Sequence, residues 1–564
     1  MKFKNYKYTR PNYEQYKKNI EDKLTIFEQA KSSKEQIDIF NEIIDLRRSI
    51  STLMTLSDIR FTLNAEDEFY VGENEYWDEM KPLYEEITNN FYQRVMNSKY
   101  LDELKQEIPE VYFQLLESSM KAFDSKIIAD LQEENKLCSR YAKLFSSAQI
   151  EFDSNIYNIP QMTPLLKNED RDYRHRAFDA KMSFFAENEE EFDDIYDKLV
   201  KIRDSMAKKM GYKNFIELGY YRMSRLDYDE KMVDNYRKQI LEEMVPIANK
   251  VYSRQQKRLG YDTLHYYDEA FEFVDGNATP QGTFEETIES AKNMYHELSN
   301  ETAEFIDFMI EKELLDLVAR KGKQAGGYCS FIDEYQSPFI FANFNGTSGD
   351  IDVLTHEAGH AFQCFQSRWI KIPELTFPTY ESCEIHSMSM EFFTHPWMEL
   401  FFKDKADKYR FSHVASAVTF LPYGVLVDHF QHVVYNNPTW NPAQRKQAWA
   451  ELEKQYQPHK NNKGCAILEK GGWWYHQAHI FEAPFYYIDY TLAQVCALQF
   501  FARIQNKDDS AWKDYLHLCS IGGTKSFTKL VKEANLIVPF EDGCVSSITK
   551  TISTWLDNVD DTKL

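Results

Sequence analysis

The sequence predicts a mainly α-helical protein of more than one lobe, with one small β region beside a histidine-bearing helix. Three observations carry this. The chain has 564 residues, more than one simple core organises, so two or more lobes are expected. Apolar residues recur at three- and four-residue steps over most of its length, the spacing of helices with one buried face. Only Tyr328–Asp333 and Pro338–Phe344 are short and rich in β-branched and aromatic residues, and these read as two strands of a small antiparallel sheet.

The elements follow in order. Tyr13, Tyr16, Ile20, Leu24 and Phe27 mark the buried face of a first helix. Ser32 followed by Glu35 resembles a capping box opening the next, with Ile37, Phe40 and Ile44 on its face. Trp77, Met80, Leu83, Ile87, Phe91 and Val95 continue the rule, and helical patterning persists from Tyr112 to Phe145. The segment from Asn155 to Pro164 breaks it, which divides the chain into an N-terminal helical region, 1–160, and a larger region, 161–564. Helices resume from Asp172, and Met210–Phe215 reads as a helix end, a glycine stop and a restart. The glycine-rich loops Lys321–Gly327 and Gly522–Ser526 lack the order of a phosphate-binding loop. Asn345–Asp350 is a turn leading into the histidine-bearing helix, with Ser348 or Asp350 available as its cap. An exposed edge strand just before that helix would hold an extended peptide through backbone hydrogen bonds, and Pro338–Phe344 is the segment expected to do so.

Composition narrows the function classes. Hydrophobic residues make up 43% and charged residues 28%, and the net charge is −24. That charge favours solubility and disfavours nucleic acid and anionic membranes as partners. No apolar segment follows the basic N-terminus as a secretory signal requires. The most apolar window, Ala415–Val427, is interrupted by Ser416, Thr419, Pro422 and Gly424, so no membrane span is expected. Eight cysteines without a Cys-x-x-Cys pair suggest free thiols and a cytoplasmic protein.

The chemistry begins at His356-Glu357-Ala358-Gly359-His360. Residues four apart share a helical face, so the two imidazoles present themselves to one point, as half of a tetrahedral zinc site. Glu357 is then suited to take a proton from a water at the open metal position. An ordinary buried helix with two satisfied histidines would carry the same pattern, so the third ligand decides. Gln363 and Gln366 occupy the positions where the longer His-Glu-x-x-His-x-x-Gly-x-x-His consensus has its glycine and third histidine, which rules that branch out. Glu384 and Glu391 are seven apart and share a helical face. Spacing allows either to be the ligand and the other to orient a histidine. His386 points away from that face and reads as structural.

These motifs resemble those of the thimet oligopeptidase and oligoendopeptidase F family of zinc metallopeptidases, and most of all its bacterial oligoendopeptidase F branch. The matching residues are Phe344–Gly346, Asp350–Phe362, and Glu384-Ile385-His386-Ser387-Met388-Ser389-Met390-Glu391, which fits the family's Glu-x-x-Ser-x-x-x-Glu. Lys321–Lys323 with Gly326–Tyr328, and Met210–Phe215, also look like the family; the matches run from about residue 200 to the C-terminus. The resemblance assigns the metal ligands to His356, His360 and Glu384, and puts Glu391 behind them. It implies one Zn2+ per chain and a deep substrate channel between two helical lobes. It further implies that His479, Tyr487 and Tyr490, in the segment after Gly471 and Gly472, reach the scissile carbonyl. Tyr486 is a further candidate, because Ala483 stands where the thimet branch has a tyrosine and the segment is one residue shorter. The expected function is a zinc-dependent endopeptidase for short unfolded oligopeptides, with Glu357 as general base. A zinc-dependent peptide-binding protein without catalysis is the alternative.

Overall fold

The computed structural model describes residues 1–324 and 326–564, so Ala325 of the loop 321–327 lies outside the described residues. The chain is mainly helical and forms two compact units, neither continuous in sequence. The first comprises residues 1–120, 279–403 and 503–536; the second comprises 121–278, 404–502 and 537–564. This partition follows contacts and differs from a linear division at residue 160.

The expected helices form for the expected reasons. Tyr13–Gln29 buries Tyr16, Ile20, Leu24 and Phe27. Ser33–Leu63 starts at Ser32, whose hydroxyl accepts from the Glu35 amide, while Glu35 accepts from the Lys31 amide rather than closing a full capping box. Glu68–Met96 follows, capped by Asp67. In the second unit the most apolar window is part of one 31-residue helix, Ala406–Asn436, with Pro422 inside it. No helix of the described residues is long and apolar enough to cross a membrane. All eight cysteines are free.

Among the described residues, five strands form two sheets. β1 (Ile150–Phe152) and β2 (Asn155–Tyr157) are an antiparallel hairpin in the second unit. Asp153 and Ser154 both have positive φ, as a two-residue hairpin turn of the primed type demands. β3 (Leu315–Val318), β4 (Tyr328–Ile332) and β5 (Ser337–Phe344) form a sheet in the first unit, in the order β3-β5-β4. The predicted antiparallel pair is β4 with β5. β3 adds to β5 in parallel, which makes this sheet mixed. The expected role of Pro338–Phe344 as a peptide-holding edge is therefore corrected. β5 is the central strand, with both edges occupied and residues 337–342 buried. The edge strands among the described residues are β3 and β4, and the first three residues of β4, the edge strand nearer the start of the histidine-bearing helix in sequence, are only partly buried.

The turn 345–350 holds the histidine-bearing helix, Gly349–Gln366, by an unexpected route. Ser348 makes no side-chain cap. Asp350, inside the first turn, reaches back to accept from the amides of Asn345 at 2.9 Å and Gly346 at 2.7 Å. Gly346 sits at φ +86°, which a side chain would disfavour.

Candidate active site

Two helices of the first unit build the metal cluster. Gly349–Gln366 carries His356, Glu357 and His360; Tyr380–Phe393 carries Glu384 and Glu391. They approach so closely that a Cβ at Gly359 would lie 2.6 Å from both the His386 carbonyl oxygen and the Ser387 Cα. Only glycine fits there. The second helix starts where Gln363, in place of the longer consensus glycine, donates to the Thr376 carbonyl at 2.9 Å and so anchors the connector between the helices. His386 is fully buried on the far side, its carbonyl accepting from the Tyr515 hydroxyl at 2.8 Å, and burial lowers its pKa to about 4.

The two glutamates take different places in the convergence. One ligand atom from each of His356, His360 and Glu384 lies within 4.8 Å of the others. Glu384 Oε2 is 3.2 Å from His356 Nε2 and 3.6 Å from His360 Nε2. Ser387, the serine of the Glu-x-x-Ser pattern, donates to the same Oε2 at 3.0 Å and aims it. Glu391 Oε1 instead accepts from His356 Nδ1 at 2.6 Å. That bond fixes the tautomer: Nδ1 carries the proton and Nε2 offers its lone pair to the shared point. Two imidazoles and one carboxylate, with a fourth position open, are the donor set of a catalytic zinc site, so the residues present fit that metal.

With no metal between them, the same groups act on one another as charges. Burial alone would raise the Glu384 pKa, but the adjoining His360 and His356 imidazoles hold it well below the usual carboxylate range. Burial alone would depress His356, yet its bonds to Glu384 and Glu391 and their charges raise it. Glu357 is 8% exposed. Burial raises its pKa against the opposing effect of His360 and His356, which makes its carboxylate a better proton acceptor than a solvated one. A Cβ at Gly327, the residue before β4, would come 3.7 Å from Glu357 Oε1. The free-edged strand therefore starts beside the candidate base.

His479, Tyr486, Tyr487 and Tyr490 form a cluster of their own in the second unit. The His479 ring lies 5.6 Å from that of Tyr486, 5.1 Å from Tyr487 and 5.9 Å from Tyr490. All four are partly exposed. Tyr423 donates to Gln477 Oε1 at 2.8 Å, and Gln477 Nε2 donates to His479 Nδ1 at 2.8 Å. Burial lowers the His479 pKa. The ring is thus neutral with Nε2–H as its free donor, the form suited to a developing oxyanion.

What holds these tyrosines was invisible in the sequence. Phe485, fully buried, takes φ +71°, which is costly for a bulky residue. Its amide donates to Gln431 Oε1 at 2.9 Å, and its carbonyl accepts from Arg225, which also pairs with Asp489 at 3.2 Å. Gly219 leaves room for the ring, since a Cβ there would be 2.6 Å from it. Arg203 binds the carbonyls of Ile480 and Phe481 and pairs with Glu134 at 2.6 Å. Gly471 and Gly472 are tightly packed: a Cβ would lie 2.2 Å from the Lys446 carbonyl oxygen at the first and 2.9 Å from Ile467 at the second.

Comparison with known proteins completes the picture. The Peptidase family M3 profile matches residues 164–549, and the Peptidase M3 N-terminal domain profile matches residues 3–123. The chain belongs to peptidase family M3. Among solved structures, this M3 chain is 51% identical to PZ peptidase A bound to inhibitor 2, with all of both chains covered and a TM-score of 0.92. It is 49% identical to a provisionally named oligoendopeptidase F, again with all of both chains covered and a TM-score of 0.93. A provisionally named oligoendopeptidase F from Bacillus anthracis str. Ames is 48% identical over 100% of this chain and 99% of its own, with a TM-score of 0.89. No curated protein matches the M3 chain.

Proposed function

We propose that this M3 peptidase is a zinc-dependent endopeptidase that hydrolyses short unfolded oligopeptides, with His356, His360 and Glu384 as metal ligands and Glu357 as general base. One observation carries the reading: three metal-type donors converge beside a buried carboxylate, and Glu391 fixes the tautomer of the first. Zinc, when bound, supplies a Lewis acid that eases deprotonation of water and polarises a carbonyl.

The chain's own residues do the rest. Glu357 accepts the proton of the attacking water on a carboxylate oxygen and passes it to the nitrogen of the leaving amine. Tyr490 and His479 Nε2–H, with Tyr487 or Tyr486, donate to the carbonyl oxygen as its charge grows. The substrate backbone is assigned to the free edge of β4 in place of Pro338–Phe344. In functional terms the division into an N-terminal helical region, 1–160, and a catalytic region, 161–564, belongs to this reading, because every assigned site residue falls in the second. The protein acts in the cytoplasm on peptides, with no nucleic-acid or membrane partner.

The test is cleavage-site mapping by mass spectrometry on a mixed peptide library, with and without a chelator. Internal cleavage that disappears with chelator and returns with zinc is expected. Peptide binding without any cleavage would favour the non-catalytic binding protein, against which the intact Glu357 argues.

A further inference from the structure

β4 has a second face. Gly327 looks toward Glu357 and the histidine-bearing helix, and side chains alternate along a strand, so Tyr328 and Ser330 look the other way. There they line an open cavity of about 340 Å³, bounded by the helices Ser33–Leu63 and Glu68–Met96. Its apolar wall comes from Ile59, Phe61 and Tyr328. Tyr328 is a firm wall, stacked on Phe341 at 4.8 Å with its hydroxyl 2.6 Å from Thr62 Oγ1. The charged end holds Asp58 and Lys81, 3.6 Å apart, with side chains 43% and 38% exposed.

Those two charges are not equivalent. Aspartate has a short side chain fixed to its helix, whereas lysine carries its charge on a flexible four-carbon stem and re-solvates easily. An incoming cation can take the place of the Lys81 ammonium at little cost; Asp58 stays. A ligand suited to the cavity therefore has an apolar stem and a cationic head.

We propose that this cavity is a specificity pocket for a lysine or arginine side chain of the peptide substrate, with Asp58 as its recognising group and Lys81 as the displaceable occupant. The inference rests on the peptidase reading above. A peptide laid along β4 alternates its side chains between the two faces of the sheet. With the scissile bond beside Glu357 and Gly327, Ser330 lies about 10 Å further along at roughly 3.3 Å per residue. The side chain entering the cavity then belongs to a residue within three of the cleaved bond.

The test uses the full-length enzyme and two peptide series that differ only in arginine or norleucine at each of the three positions on either side of the scissile bond. The wild type is expected to prefer arginine at one position. Asp58→Asn should reduce the arginine-to-norleucine ratio of kcat/KM about fivefold to tenfold, chiefly through KM, and Lys81→Met should raise that ratio. In a Glu357→Gln background, calorimetric affinity for the arginine peptide should fall by a similar factor when Asp58→Asn is added. An unmoved ratio, or no arginine preference at any position, overturns the pocket while the peptidase reading stands. Asp58-dependent binding without hydrolysis by the wild type supports the pocket and overturns the peptidase reading.

Discussion

The metal cluster and the tyrosine cluster are built by opposite strategies. Around the metal ligands, secondary structure does the positioning. Two regular helices touch at one glycine, and residues at helical spacing on each face a common point. In the tyrosine segment, the backbone leaves regular structure at Phe485 and is held there by buried side chains from elsewhere in the second unit, Gln431 and Arg225, with Arg203 holding Ile480 and Phe481. A site that must collect three ligands at one point gains from rigid helices. A segment whose backbone is strained persists only because its surroundings over-determine it.

The contrast is testable, because removing a proposed metal ligand or the glutamate behind it should alter metal content, whereas variants in the tyrosine segment should not. The largest effect is expected from Glu357→Gln, which keeps the metal ligands and removes the base. Peptide hydrolysis should fall by about 10³-fold, with metal content unchanged by elemental analysis. Next is Arg225→Met. It removes a buried ion pair to Asp489 and the donor to the Phe485 carbonyl, which should cost about 3–5 kcal/mol of stability. Denaturant unfolding checks that cost, and kcat should drop with the metal retained. Tyr490→Phe should lower kcat by about 10²-fold with little change in KM, as loss of an oxyanion donor does; an unchanged kcat would move the role to Tyr486 or Tyr487. The smallest effect separates the two glutamates. Glu391→Ala should weaken zinc affinity about tenfold to a hundredfold by releasing the His356 ring, measured by competition with a chromophoric chelator, whereas removing Glu384 should abolish stoichiometric binding.

The same contrast explains what the sequence made legible. His356 and His360 were readable because a helix turns a spacing of four into proximity. Glu384 and Glu391 could not be told apart from spacing, since both lie on one helical face; the family resemblance separated them, and in the structure Glu384 lies beside Nε2 of His356 and Glu391 beside Nδ1. The place of β5 was misread because strand order is a long-range property, and the four residues of β3 are too few to announce a strand. The β1–β2 hairpin was not read as strands: β1 precedes the Asn155–Pro164 helix break and β2 opens it. Nothing local marks Phe485 for a positive φ, because the forces that hold it come from residues up to 260 positions away.

The contact at Gly359 has a consequence for how this family of sites can vary. Since the helices are registered by backbone against backbone, the placement of Glu384 against His356 and His360 should not depend on the length of the connector from Ser367 to Thr379. Extra residues inserted between Ser367 and Ile372 would leave Glu384 in place, provided Gln363 still reaches the Thr376 carbonyl and the Gly523 amide still reaches that of Leu375. The distance along the chain between the second histidine and the glutamate is thus a tolerant parameter, while a single added methyl at residue 359 would part Glu384 from both histidines at once.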